Sequence, residues 1–312
     1  MNSLTTQATS WTARVMALPT DLKVAAALFV AHVFALLFAV TGLLVFMRNP
    51  SLVLSNPLIT QSFPYGERFG GMVYILLGAA TLLTFGWVAL GPRKTLIFFA
   101  AATLLPLSAE LIGTSTGWPF GPYEYTDLLG PKVLGKVPFT IPLSWFYMGF
   151  TSYLLASVIT SRLASRGRAW WTLALGAWLL MAWDLTLDPA MVRNSVFPFW
   201  QWYTHGVYFG MPLQNFAGWW AVGFLFMGIS RFFWREDAPV GLPLWLPFGM
   251  YLANMAFAMA LSLGAGLWQP LLIAIVLGIA PASLALRSAR GGRGGPDDQL
   301  AKAPGERIAP TI

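Results

Sequence analysis

The sequence contains no cysteine and only two histidines, His32 and His205. The first absence excludes a disulfide framework and any thiolate metal site. The second excludes the imidazole-rich iron centres of membrane hydroxylases and desaturases, because the two histidines stand in no ligand spacing. His32, in the middle of an apolar run, reads as a hydrogen-bonded packing residue. Charge is equally scarce: 10% of residues are charged, against about 25% in ordinary soluble domains. No glycine fingerprint follows a strand-like run, so no nucleotide or flavin is expected, and the chain is read as needing neither cofactor nor metal. The acidic pair Asp184 and Asp188 lacks the second acidic cluster with which diphosphate-binding prenyltransferases hold metal ions.

What the chain has in abundance is apolar length. Hydrophobic residues make up 57% of its 312 positions. A membrane span needs about 20 largely apolar residues. Eight runs qualify: Leu22–Met47, Met72–Leu90, Thr95–Gly113, Val137–Thr160, Trp170–Leu187, Ala217–Trp234, Leu242–Leu263 and Leu267–Ala285. They are continuous and do not alternate, which excludes a β-barrel. The expected fold is all-α, a polytopic integral membrane helical bundle of about eight spans. The first run is too long for a signal peptide and is read as a retained span. A polar N-terminal segment (1–21) precedes a single transmembrane domain (22–286), and a Gly-, Pro- and charge-rich stretch (287–312) reads as a disordered basic tail.

The net charge of +7 follows the same topology. With both termini cytoplasmic, 14 basic residues lie inside and five (Arg48, Arg68, Lys132, Lys136 and Arg193) lie outside. That is the asymmetry expected of a protein in the cytoplasmic membrane, with anionic lipid and not nucleic acid as the basic partner. The outside loops repeat aromatic–Pro–Gly turns at Phe63-Pro64-Tyr65-Gly66, at Trp118-Pro119-Phe120-Gly121 and from Phe197 to Tyr203. Such turns can fold back as a lid over a cavity opening at the outer leaflet.

Ionisable groups inside spans are expensive and mark function by default. Glu110 stands near the outer end of the third span, and Asp184 and Asp188 near the outer end of the fifth. The two aspartates are four residues apart and share a helix face. Pro189 disfavours helix at the residue before it, which places the end of that span near Asp188. Both spans run from inside to outside, so all three acids gather at one depth. Gln214 and Asn215 open the next span at the same level, either orienting an acid or a water or starting the helix.

Four ordered stretches, ELIGTSTGWPFGPYEYT (110–126), VPFTIPLSWF (137–146), WDLTLDP (183–189) and YFGMPLQNFAGW (208–219), resemble the carotenoid 1,2-hydratases of the CruF type. The likeness spans roughly residues 70–230. It implies a cofactor-independent hydro-lyase. The expected partners are a lycopene- or γ-carotene-like substrate within the bilayer (in haloarchaeal relatives a bacterioruberin precursor), water and membrane lipid. Water would add across the terminal double bond of an acyclic ψ end group, giving a tertiary 1-hydroxy carotenoid.

Elementary chemistry supports that implication. Hydrating a trisubstituted alkene begins with protonation at its less substituted carbon, and water then captures the tertiary cation. The acid must still hold its proton near neutral pH, which burial in apolar surroundings achieves. A neighbouring carboxylate in a different environment can orient and deprotonate the water. Asp184 is taken as proton donor, with Glu110 or Asp188 holding the water. The faces of Trp118, Tyr123, Trp145, Trp183 and Trp200 are candidates to stabilise the cation and bind substrate, together with Gln214 and Asn215. The alternatives are a carotenoid end-group cyclase, which starts with the same protonation, and a proton-coupled transporter of a lipidic solute.

Overall fold

Each of the eight apolar runs falls for most of its length in a long helix in a computed structural model of the chain, which describes residues 20–193, 198–235 and 242–291. Residues 1–19 of the expected N-terminal segment, Phe197 and residues 292–312 lie outside the described residues. Helix α1 (Thr20–Thr41) continues through a π turn (Gly42–Phe46) to a short α2 (Pro50–Leu54). Then come α3 (Pro57–Leu90), α4 (Pro92–Thr116), α5 (Thr140–Ile159), α6 (Ser165–Arg193), α7 (Leu213–Trp234) and α8 (Trp245–Gly264). The last rod joins α9 (Gln269–Ile273), a π segment (Ala274–Ile279) and α10 (Ala280–Gly291). It therefore carries helix five residues into the stretch read as a tail.

Seven of the long helices, all but α6, are long and apolar enough to cross a membrane. The chain is an all-α polytopic integral membrane helical bundle. At its centre α5 is nearly enclosed, packed on α3, α4, α6, α8 and α10, while α6 lies against α5, α7 and α8. Side-chain hydrogen bonds to distant carbonyls tie each end of the bundle. Arg48 reaches Gly264 and Gln214 reaches Gly117 at one end; Trp234 reaches Lys94 and Arg162 reaches Ser288 at the other.

Local chemistry sets several boundaries. Proline at the first helical position opens α3 and α4, where its missing N–H costs nothing. Asn56 caps α3 by accepting from the Leu58 amide at 2.9 Å. Gly117, with φ of +79°, closes α4 through its amide to the Gly113 carbonyl.

Two expectations are corrected. Phe63-Pro64-Tyr65-Gly66 is not a turn; it lies inside α3, whose 34 residues span roughly 50 Å at about 1.5 Å per residue. A rod longer than the ~30 Å hydrocarbon core can stand partly beyond it. Nor does α6 end at Asp188: Pro189 lies within it. Proline has no N–H to offer the carbonyl four residues back. That carbonyl, on Leu185, instead accepts from the Tyr208 hydroxyl at 2.7 Å, so the helix runs on.

His32 is indeed a packing residue. Its Nδ1 lies 2.7 Å from the Tyr74 carbonyl, which can only accept, so Nδ1 carries the proton. Nε2 then accepts from Asn254, whose Oδ1 accepts from the Tyr147 hydroxyl. This buried chain joins α1, α3, α5 and α8 beneath the site.

Candidate active site

Glu110 on α4 and Asp184 and Asp188 on α6 are all buried, and all three line one cavity of about 50 Å³. Aromatic rings form most of the remaining wall. Trp145 lies flat on Trp219, with ring centroids 3.7 Å apart and planes 13° from parallel, and Trp183 meets Trp219 edge-on at 6.0 Å.

The roof is a two-stranded antiparallel ribbon of β1 (Tyr123–Tyr125) and β4 (Trp200–Trp202). Register pairs Tyr123 with Trp202 and Tyr125 with Trp200. Alternation along a strand puts these four rings on the cavity face, while Glu124 and Gln201 point away. A smaller pair, β2 (Lys132–Val133) with β3 (Val137–Pro138), steadies the same loop, and Lys132 donates to the Tyr125 carbonyl at 2.7 Å. Gly218 admits the loop closely: a Cβ there would stand 2.7 Å from the Phe120 ring and 3.0 Å from the Pro119 carbonyl oxygen.

The three acids receive unequal numbers of hydrogen bonds. Glu110 accepts three: Trp145 donates to Oε1 at 3.0 Å, while the Tyr125 hydroxyl (2.9 Å) and the Tyr123 hydroxyl donate to Oε2. Asp188 accepts two, from the Trp200 indole on Oδ1 and from Asn215 Nδ2 on Oδ2 at 3.0 Å. Asp184 accepts one, from the same Asn215 Nδ2 at 3.0 Å. An amide nitrogen has two hydrogens, and Asn215 gives one to each aspartate. Its side chain is a bridge and not a helix start; the N-cap of α7 is Pro212. Burial first, and then the Glu110 charge, push the Tyr123 and Tyr125 hydroxyls well above the ordinary phenol range, so both remain donors.

Of the residues singled out in the sequence, Glu110, Tyr123, Trp145, Trp183, Asp184, Asp188, Trp200 and Asn215 line the cavity. Two do not. Trp118 is 67% exposed at the end of α4, and Gln214 turns outward to donate to the Gly117 carbonyl at 3.1 Å, tying the start of α7 to the end of α4. Tyr74, Tyr125, Tyr147, Trp202 and Trp219 also line the site and were not anticipated. The Tyr-x-Tyr spacing at 123 and 125 was a usable signal, since residues two apart on a strand share a face. Among the described residues, no group of three His, Asp or Glu side chains is arranged to hold a metal ion.

The chain is 30% identical over 249 residues to a bisanhydrobacterioruberin hydratase of Haloarcula japonica, covering 75% of this chain and 80% of that protein. No solved structure matches. The family described as carotenoid biosynthesis protein matches residues 70–281, a range that holds all three acids, the ribbon and Asn215. The chain belongs to the carotenoid biosynthesis protein family.

Proposed function

We propose that this protein hydrates a carotenoid, adding water across the terminal double bond of an acyclic end group of the lycopene or γ-carotene type. The observation that carries the reading is three buried carboxyls with unequal donor counts lining one aromatic cavity. The Haloarcula relative is named as a hydratase of a carotenoid, which supports the same chemistry here.

Among the described residues, Asp184 accepts a single hydrogen bond and keeps one oxygen without a donor, which suits it to carry and deliver the proton. The double-bond electrons take that proton at the less substituted carbon, leaving the positive charge on the tertiary carbon. The stacked Trp145–Trp219 pair and the Trp183 ring offer their faces to that charge. Glu110, held by three donors, acts as a fixed carboxylate that opposes it. The water oxygen bonds to the cation and passes a proton to Asp188. Asn215 donates to both aspartates and holds them side by side, and return of that proton from Asp188 to Asp184 restores the starting state. One water is consumed and no electrons are exchanged.

The cytoplasmic basic excess supports placing both termini inside and the acid cavity towards the outer surface, where water is at hand. The test is expression in a lycopene-producing bacterium. The pigment should gain the mass of one water. In heavy-oxygen water the new hydroxyl should carry the label, and in heavy water one non-exchangeable deuterium should sit on the carbon beside the carbinol. A pigment unchanged in mass, or a hydroxyl labelled from oxygen gas, would overturn the reading.

A further inference from the structure

A second cavity, of about 220 Å³, lies beside the acid chamber. The end of α1 and its π turn form one wall, through Phe38, Ala39 and Gly42, and the outer half of α3 forms the other. Its lining is predominantly apolar, with Ser62 and Glu67 on the α3 side. Tyr74 and Met191 belong to the walls of both cavities.

Glycine inside a helix is destabilising relative to alanine, so each one invites a reason. Most here make room for a neighbour: a Cβ at Gly86 would stand 2.7 Å from the Phe150 ring, and one at Gly176 would stand 2.8 Å from the Met227 sulfur. Others hold a positive φ in a turn, as at Gly91. Among the described residues, Gly42 and Gly70 alone combine open space with an ordinary backbone: a Cβ at either would meet nothing within 4 Å, and neither has a positive φ. Both line the second cavity. The π turn that begins at Gly42 widens the same wall, and such turns recur at functional sites.

The acid chamber is far too small for an extended carotenoid, whose length is comparable to the ~30 Å hydrocarbon core. A chain whose end lies among the acids must leave through a wall, and Tyr74 and Met191 separate the chamber from an apolar space. We propose that this groove between α1 and α3 binds the polyene chain of the substrate, with the end group passing Tyr74 and Met191 to reach the acids. The proposal rests on the hydratase reading. Gly42 and Gly70 are then substrate-accommodating positions, kept without side chains to leave room for the chain.

Gly70 is replaced in turn by Ala, Val and Phe, and each protein is purified from lycopene-accumulating cells. Three quantities are read: carotenoid retained per protein, hydrated product in the cells, and melting temperature in detergent. Retained pigment and product should fall together as the side chain grows, by about tenfold or more at Gly70→Phe, a typical size for closing an apolar pocket. The melting temperature should not fall, because a Cβ at residue 70 meets nothing within 4 Å and the position lines an open cavity. Wild-type pigment retention and product in Gly70→Phe would overturn the proposal. So would a loss that appears only where melting temperature also drops, or displacement of phospholipid with carotenoid unchanged. A wild-type protein that retains carotenoid yet forms no hydrated product refutes the hydratase reading, while the dependence of retention on residue 70 still decides the groove.

Discussion

Replacing Asp184 with asparagine exchanges a carboxyl oxygen for an NH₂ and leaves the volume of the side chain almost unchanged. Asp184 accepts one hydrogen bond, from Asn215 at 3.0 Å, and the new amide can keep it by turning its carbonyl oxygen to that donor. Its NH₂ then occupies the position that carried no donor. The fold should therefore persist: accumulation in the membrane should match wild type, and melting in detergent should shift by no more than a conservative change produces. What disappears is the transferable proton. A positioned general acid contributes about 10²- to 10⁴-fold, which at about 1.4 kcal/mol per tenfold is roughly 3–5 kcal/mol of barrier. Product in a lycopene-accumulating host, normalised to protein by immunoblot, should fall by that factor, and Asp184→Glu should restore part of it. Near-normal product from Asp184→Asn would refute the donor assignment. If Asp188→Asn alone abolished hydration, counting donors would have picked the wrong member of the pair.

Further outcomes follow from other contacts. Glu110→Gln can turn its carbonyl to Trp145 and its NH₂ to the two tyrosine hydroxyls, so the protein should accumulate normally while product falls about 100-fold; retention of activity would remove Glu110 from the mechanism. Asn215→Leu strips the bridging donor from two buried carboxyls, at about 1–3 kcal/mol for each group left without a partner. Its melting temperature and yield should both drop, and an unchanged melting curve would show that the bridge is dispensable. Gly218→Leu drives a side chain into the Phe120 ring and should cost about 1–3 kcal/mol and most of the activity through the displaced roof; full activity would show the roof is not held there. The cysteine-free chain suits thiol labelling. Thr204→Cys and Ser55→Cys should react with an impermeant maleimide in intact cells and Leu163→Cys only after permeabilisation; the opposite pattern would invert the proposed orientation.

The spans were legible because hydropathy is a local property, and the three acids that counting crossings brings together do line one cavity. The i, i+4 spacing of Asp184 and Asp188 was equally local. The roof was not legible in that way. Tyr125 and Trp200 face each other across a ribbon of two three-residue strands drawn from loops far apart in the chain, and pairing so short leaves little pattern in either segment. Trp118 and Tyr123 share one loop, yet one stands in the open and the other is buried against Glu110, a distinction made by the strand and not by residue type. Pro64 and Pro189 looked like boundaries by local rule, and both lie inside helices. At Pro189 the compensating partner, Tyr208, is distant in sequence. Asn215 could be placed at the correct level from sequence, whereas its bond to both aspartates required the packing of α7 on α6.

Among the described residues, α6 is the one long helix outside the set apolar enough to cross a membrane, and its C-terminal half carries two carboxyls. An aspartate at a span centre costs about 2.5–3.5 kcal/mol on insertion scales. Both donors of the Asn215 amide arrive only with the next helix to be synthesised. During biogenesis α6 should therefore be retained at the insertion machinery until α7 has emerged, and the two should enter lipid as a hairpin. A nascent chain halted before Asn215 offers the bilayer two unbridged carboxyls, whereas one extended beyond Trp234 carries their shared amide in with them.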